Sequence, residues 1–322
     1  TGAASGLTGA LPAISGANLT NLPAANLTGA LPAISGANLT GIAATDNVRT
    51  GILDVAGVST FRNTMNVGAA VTISESGIEA SGIGITVANI NGGQISGRRN
   101  LIINGAMQCN QYGSSGTAAF CCVDRFQQGN SGVDEAPTGS QVDVASGTTP
   151  YTSGFRKAFR ITNGNQTSGA GSNDYVWIQQ KIEAHNIAQS GWNYLSSSSF
   201  ITLSFWVKSS VAQTFKGYIE TIDGTAYQYP FETGSLSANT WTKITKHIPG
   251  NSNLTFDNNK EEGFKLSIIP MMGTDKTASS VTEDAWSTYN SSARIKDVTT
   301  TWYTTNDATF ELTGVQLEVG SQ

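Results

Sequence analysis

Two patterns of apolar and polar positions run along this chain. In the first, sizeable hydrophobes are sparse and evenly placed: Leu7, Leu11, Ile14, Leu19 and Leu22, then Leu27, Leu31, Ile34, Leu39 and Ile42, separated by Gly, Ala, Ser, Thr, Asn and Pro. The stretch LTGALPAISGANLT stands unchanged at residues 7–20 and 27–40, a 20-residue period. Gly and Pro interrupt every helical window, at about 1 and 3 kcal/mol each in a helix interior. A lone chain has too little here to bury, which leaves a disordered linker or an extended chain whose anchors meet those of sister chains along a shared axis; evenly placed Leu and Ile, which a linker does not need, favour the second.

From residue 46 onward the period shortens to two. Val71 and Ile73, and Ile83, Ile85 and Val87, alternate with small or polar residues between glycines, which predicts short strands in a slender shaft. Beyond residue 100 the alternation becomes strong. FITLSFWVKSS puts Ile201, Leu203, Phe205 and Val207 on one face and Thr202, Ser204, Trp206 and Lys208 on the other, and FKGYIETID and TFELTGVQLEVG alternate similarly. Many such segments between Gly, Asn and Ser turns predict an all-β fold with a sandwich. The expected domains are a repeat stalk over 1–45, a β-rich shaft over 46–100 and a sandwich head over 101–322.

Composition sharpens this division. Phe61 is the only Phe, Tyr or Trp before residue 100, and the first charged residue is Asp46, so only the back of the chain carries the side chains of an ordinary globular core. A net charge of −5 with 13% charged residues provides no basic stripe for nucleic acid, and no apolar run reaches the ~18–20 residues of a membrane span. The first residue is Thr rather than Met, so the sequence is expected to be a processed product or part of a longer protein. Cys109, Cys121 and Cys122 lack CxxC spacing, which argues against zinc and for reduced thiols, with a Cys109 bridge left open.

GVSTFRNTMNVGAAVTISESGI resembles the shaft repeats of tail-fibre proteins from cyanobacterial and other marine phages. RRNLIINGAMQ, VDRF, WIQQKIE, ITLSFWVKSS, NTWTKITKHIPG and FELTGVQLEVGSQ resemble the carbohydrate-binding-module-like head of such fibres; QCNQYGSSGTAAFCCVDRF departs from it. The resemblance implies a homotrimeric virion fibre. It further implies jelly-roll heads that bind host-surface carbohydrate, contacts with other virion proteins at the N-terminal end and no membrane insertion. By the same analogy Asn104, with Glu311 or Glu318, is expected to ligate a structural Ca²⁺.

Sugars pack their C–H faces on aromatic rings. The candidate ligand-binding rings are Trp192, Tyr194, Tyr227, Tyr229, Trp286, Trp302 and Tyr303, with Trp302–Tyr303 expected to expose a ring because adjacent strand residues point to opposite faces. Two alternatives stand beside the adhesin: a structural capsid fibre or extracellular filament subunit without a receptor, and a tailspike-like depolymerase using Glu220 with Asp223 or Glu283 with Asp284. No G-x-S-x-G elbow or phosphate-binding loop is present, and no enzymatic activity is expected.

Overall fold

The computed structural model describes residues 100–320; the repeat stalk, and the shaft apart from Asn100, lie outside them. In chain order the elements are β1 (Ser115–Gly116), β2 (Gln127–Ser131), β3 (Thr138–Asp143), α1 (Thr149–Thr152), β4 (Lys157–Thr162), β5 (Tyr175–Glu183), α2 (Ala184–Ala188) and β6 (Phe200–Ser209). They continue with β7 (Thr214–Thr221), β8 (Tyr227–Ser235), β9 (Thr242–Pro249), β10 (Glu262–Met272), β11 (Ser287–Thr288) and β12 (Thr309–Val319). Among the described residues no helix is long and apolar enough to cross a membrane.

Among the described residues every pairing between the named strands is antiparallel. The first sheet has the order β1-β3-β4-β12-β6-β9, and the second β11-β8-β7-β10-β5-β2. From β4 to β12 the chain crosses repeatedly between the sheets: β4, β6, β9 and β12 lie in the first and β5, β7, β8 and β10 in the second, with β7 and β8 paired as a hairpin and β9 at the sheet edge. Two six-stranded antiparallel sheets joined by these crossings make the β-sandwich that the alternation predicts, with the jelly-roll form that the family resemblance implies.

The core is the meeting of the two inner faces. Phe159, Ile161, Leu203, Phe205, Val207, Phe310 and Leu312 from the first sheet pack with Val176, Ile178, Phe215, Ile219, Phe231, Phe264 and Leu266 from the second. All four residues assigned inward on β6 are fully buried. In β12 the inward positions change parity, from Phe310 and Leu312 to Val315 and Leu317, across a register shift between Thr313 and Gln316. A β-bulge of this kind adds one residue and so turns the later side chains back to the core. Gly314, inside the shift, has φ +61°, and a Cβ there would meet the Phe155 ring at 2.7 Å, so both backbone and space require glycine.

The segment entering the head is tied to both sheets. Leu101 N–H donates to Leu317 O (2.9 Å) and Val315 N–H to Gly105 O (3.0 Å), along β12. From β5 the buried Gln180 side chain accepts from Ile103 N–H and donates to Ile103 O, both at 2.9 Å. The NLIINGAM motif therefore seals one end of the sandwich, satisfying its backbone with a buried amide.

Candidate functional site

Residues 109–124 leave this sealed end as an excursion that closes the edge between β3 and β2. Asn104 clamps its base: Nδ2 donates to Cys109 O and Asp124 O, and Oδ1 accepts from Cys109 N–H, each at 2.9 Å. Asn104 has φ +60°, in the left-handed region that Asn tolerates better than most residues. From β2, Gln128 Nε2 donates to Gly116 O (2.9 Å) and Ala118 O (3.2 Å), and from β3, Gln141 Nε2 donates to Met107 O (2.6 Å). The underside of the excursion is Cys121, Cys122 and Val123, all buried. Its outer side presents Tyr112 and Phe120, 63% and 42% exposed, with ring centroids 6.0 Å apart.

Beside Phe120 lies a cavity of about 190 Å³ lined by Arg125, Gln127, Lys181, Ile182, Glu183 and Glu262. Strand alternation aims Lys181 and Glu183 to the outer face of β5, while Ile182 points to the core. Arg125 Nη2 meets Glu183 Oε1 at 2.9 Å, and Lys181 Nζ meets Glu262 Oε2 at 2.6 Å. Burial alone would raise the Glu183 carboxyl; the Arg125 hydrogen bond, a backbone N–H and Asn186 outweigh it and hold the group below the usual carboxylate range. Arg125 itself has φ +71°, a conformation of about 1–3 kcal/mol cost that the surrounding bonds must hold. An exposed ring next to paired charged donors and acceptors matches what a sugar presents: apolar C–H faces and hydroxyls.

The aromatic residues nominated from sequence fall elsewhere. Trp192 and Tyr194 form a knot with Phe256, Tyr194 and Phe256 being T-shaped at 4.9 Å, and Trp192 Nε1 donates to Ser199 O at 3.3 Å. Tyr229 packs edge-on against Trp286 at 5.2 Å, and Trp286 Nε1 donates to Pro249 O at 2.7 Å. Tyr227 is half-buried against the core. The expectation that Trp302–Tyr303 exposes a ring is overturned, since both are fully buried. The alternation rule applies to strands, and this segment is a turn in which Thr304 N–H bonds Thr300 O (2.9 Å), which lets both rings face inward. Tyr303 donates its hydroxyl to Asp174 Oδ2 at 3.0 Å.

The three residues nominated for calcium hold other partners. The Asn104 oxygen is occupied by Cys109 N–H. Glu311 is 2% exposed and accepts from Arg160 Nε (2.9 Å) and Nη2 (2.7 Å) and from Lys208 Nζ (2.7 Å), a buried anion balanced by two cations. Glu318 lies seven positions further along β12, opposite Thr202. Among the described residues no three His, Cys, Asp or Glu side chains gather as a metal cluster.

The carboxylates nominated for hydrolysis are engaged as well. Glu283 and Glu232 share Lys216 Nζ at 2.5 and 2.7 Å, Asp284 meets Lys246 at 3.0 Å, Glu220 meets Lys265 at 2.7 Å, and Asp223 accepts from Asp257 N–H. Lys216 holds Glu232 below the usual carboxylate range, the opposite of what a glycosidase general acid needs. Glu232, Glu283 and Asp284 do line one groove of about 400 Å³, with Lys243 and Lys246.

No family model matches the chain. No curated protein matches it. Among solved structures it is similar to the enzymatically active domain of bacteriophage CBA120 tailspike protein 4, at 11% identity and TM-score 0.37 over 68% of this chain and 21% of that one. It is also similar to a putative sugar binding protein from Bacteroides thetaiotaomicron (12% identity, TM-score 0.36, 69% of this chain and 100% of that one). A third is a family 11 carbohydrate-binding module from Clostridium thermocellum in complex with a mixed-linked tetrasaccharide (12%, 0.29, 63% and 94%). The chain thus spans about a fifth of the tailspike structure's length.

Proposed function

We propose that residues 100–320 are a carbohydrate-binding head and that the cavity beside Phe120 is its glycan site. The observation that carries this reading is the exposed Phe120 ring, extended by its neighbour Tyr112, lining a cavity with the Arg125–Glu183 and Lys181–Glu262 ion pairs. The rings offer a stacking surface. A guanidinium carries five N–H donors, one of which goes to Glu183, so hydroxyl recognition and ion pairing are compatible. We read the site as binding without bond cleavage: Glu183 is paired with Arg125 and held below the usual carboxylate range, which suits a hydrogen-bond acceptor and not a general acid.

The chain as a whole is read as a homotrimeric virion fibre, a tail fibre attached to other virion proteins through its N-terminal end. The 20-residue repeat supports this, because its evenly placed Leu and Ile need neighbours to bury against. Three heads on one stalk raise a weak site affinity by about 10²–10⁴ when the sites engage together. The test is an array of bacterial lipopolysaccharides and capsular polysaccharides probed with the purified chain, alongside its native mass by light scattering. Binding on the array and a mass near three times 33.6 kDa are expected. A silent array removes the glycan reading, and a monomer removes the fibre.

A further inference from the structure

The excursion that carries Phe120 also carries two adjacent thiols. Cys121 Sγ and Cys122 Sγ lie 3.1 Å apart, with Cys121 6% exposed and Cys122 fully buried. Cys121 Sγ is wedged against β3, where a Cβ on Gly139 would meet it at 2.8 Å. The third thiol, Cys109, is exposed at the base of the same excursion. The bond between the adjacent pair is asymmetric in effect. The Cys122 thiol, by hydrogen bonding, lowers Cys121 despite its burial, while the same bond and burial push Cys122 up. Cys121 is therefore the better nucleophile of the two.

We propose that Cys121–Cys122 is a redox modification site, oxidised by peroxide to a vicinal disulfide that re-sets the loop holding Phe120. The Cys121 thiolate attacks one peroxide oxygen; the O–O bond breaks, leaving a sulfenic acid on Cys121 and releasing, with one proton, a water. Cys122 sulfur then attacks the sulfenic sulfur, the S–O bond breaks, and its thiol proton leaves with hydroxide as a second water. Two thiols lose two electrons and the peroxide gains them. Consecutive Cα atoms are ~3.8 Å apart, below the ~4.4–6.8 Å that ordinary disulfides span. The ring is accordingly strained, and strained disulfides are the readily reduced, regulatory ones. Closing the bond draws the sulfurs to ~2.0 Å immediately beside Phe120, so the modification acts on the cavity wall; its effect on sugar binding rests on the glycan reading above.

The experiment uses the full chain carrying Cys109→Ser, which removes the exposed competitor. The protein is treated with hydrogen peroxide, alkylated with iodoacetamide and cleaved with trypsin, whose peptide from Asn100 to Arg125 contains both remaining cysteines. The expected peptide has lost two hydrogens and takes no alkyl group, and dithiothreitol beforehand restores two alkylated thiols. Two alkylated thiols after peroxide, or irreversible sulfinic acids, overturn the proposal. Hydrogen exchange of residues 117–123 is compared between the two forms. A changed exchange pattern is expected, and a bridge that forms without one overturns the coupling to Phe120. A chain silent on the polysaccharide array in both redox states defeats the glycan reading and leaves the peptide result standing.

Discussion

Two groups of aromatic residues in the head differ in how they are presented. Trp302 and Tyr303 are fully buried, and Trp192 and Tyr229 nearly so. Tyr112 and Phe120 touch one another on the outside of a loop whose underside is all thiol and aliphatic. Both groups are chemically suited to sugars, yet only the second is offered to solvent beside a cavity. Ring content therefore says little about a binding face; the backbone path that presents a ring decides it.

The largest expected consequence of this contrast is in stability. Trp302→Ala removes a wholly buried indole and is expected to cost about 3–5 kcal/mol, read as a shift in the urea midpoint. A cost below about 1 kcal/mol would mean that the turn is not packed as described. Glu311→Ala leaves Arg160 and Lys208 without their shared anion. Both cations are partly exposed, so about 2–3 kcal/mol is expected, below the full loss for a dry buried pair. Tyr303→Phe deletes the hydroxyl that Asp174 accepts and is expected to cost about 1–3 kcal/mol with the fold retained.

At the rim the expected effects are smaller. Glu183 has a folded pKa below its unfolded value of about 4.3. Its contribution is thus fully present above about pH 4.3 and is lost as pH falls through the lower folded value. Arg125→Gln should remove that acid-side dependence, at under about 1 kcal/mol because both partners are substantially exposed. Urea titrations of both proteins at pH 7 and pH 3 measure it: the stability gap between them should narrow at pH 3, and an unchanged gap contradicts the ion pair. Chelation with EDTA is expected to leave the melting temperature of the head unchanged, since Asn104 and Glu311 bond within the protein.

Much of the architecture was legible in the residues. The β6 alternation gave its inward face residue by residue, and the apolar positions of β12 record the bulge, since Phe310 and Leu312 are followed by Val315 and Leu317 rather than by even-numbered partners. The site was less legible. Trp302–Tyr303 reads as strand by composition, and only the i to i+4 bonding of the turn, which needs three-dimensional context, sends both rings inward. Tyr112 and Phe120 lie in the segment that departs from the fibre-head pattern, and their exposure depends on Asn104 reaching Asp124 twenty positions away and on Cys121 finding Gly139. Arg125 and Glu183, 58 positions apart, carry no sequence signal of their pairing.

The glycan assignment stands or falls with the two rim rings. Tyr112→Ala/Phe120→Ala is expected to leave stability within about 0.5 kcal/mol of the native chain, as for exposed side chains generally. On the lipopolysaccharide and capsular polysaccharide array the double variant should lose the binding that the native chain shows, while Leu195→Ala, altering an exposed apolar side chain that does not line this cavity, retains it. Binding that survives loss of both rings would contradict the assignment of the glycan site to this cavity.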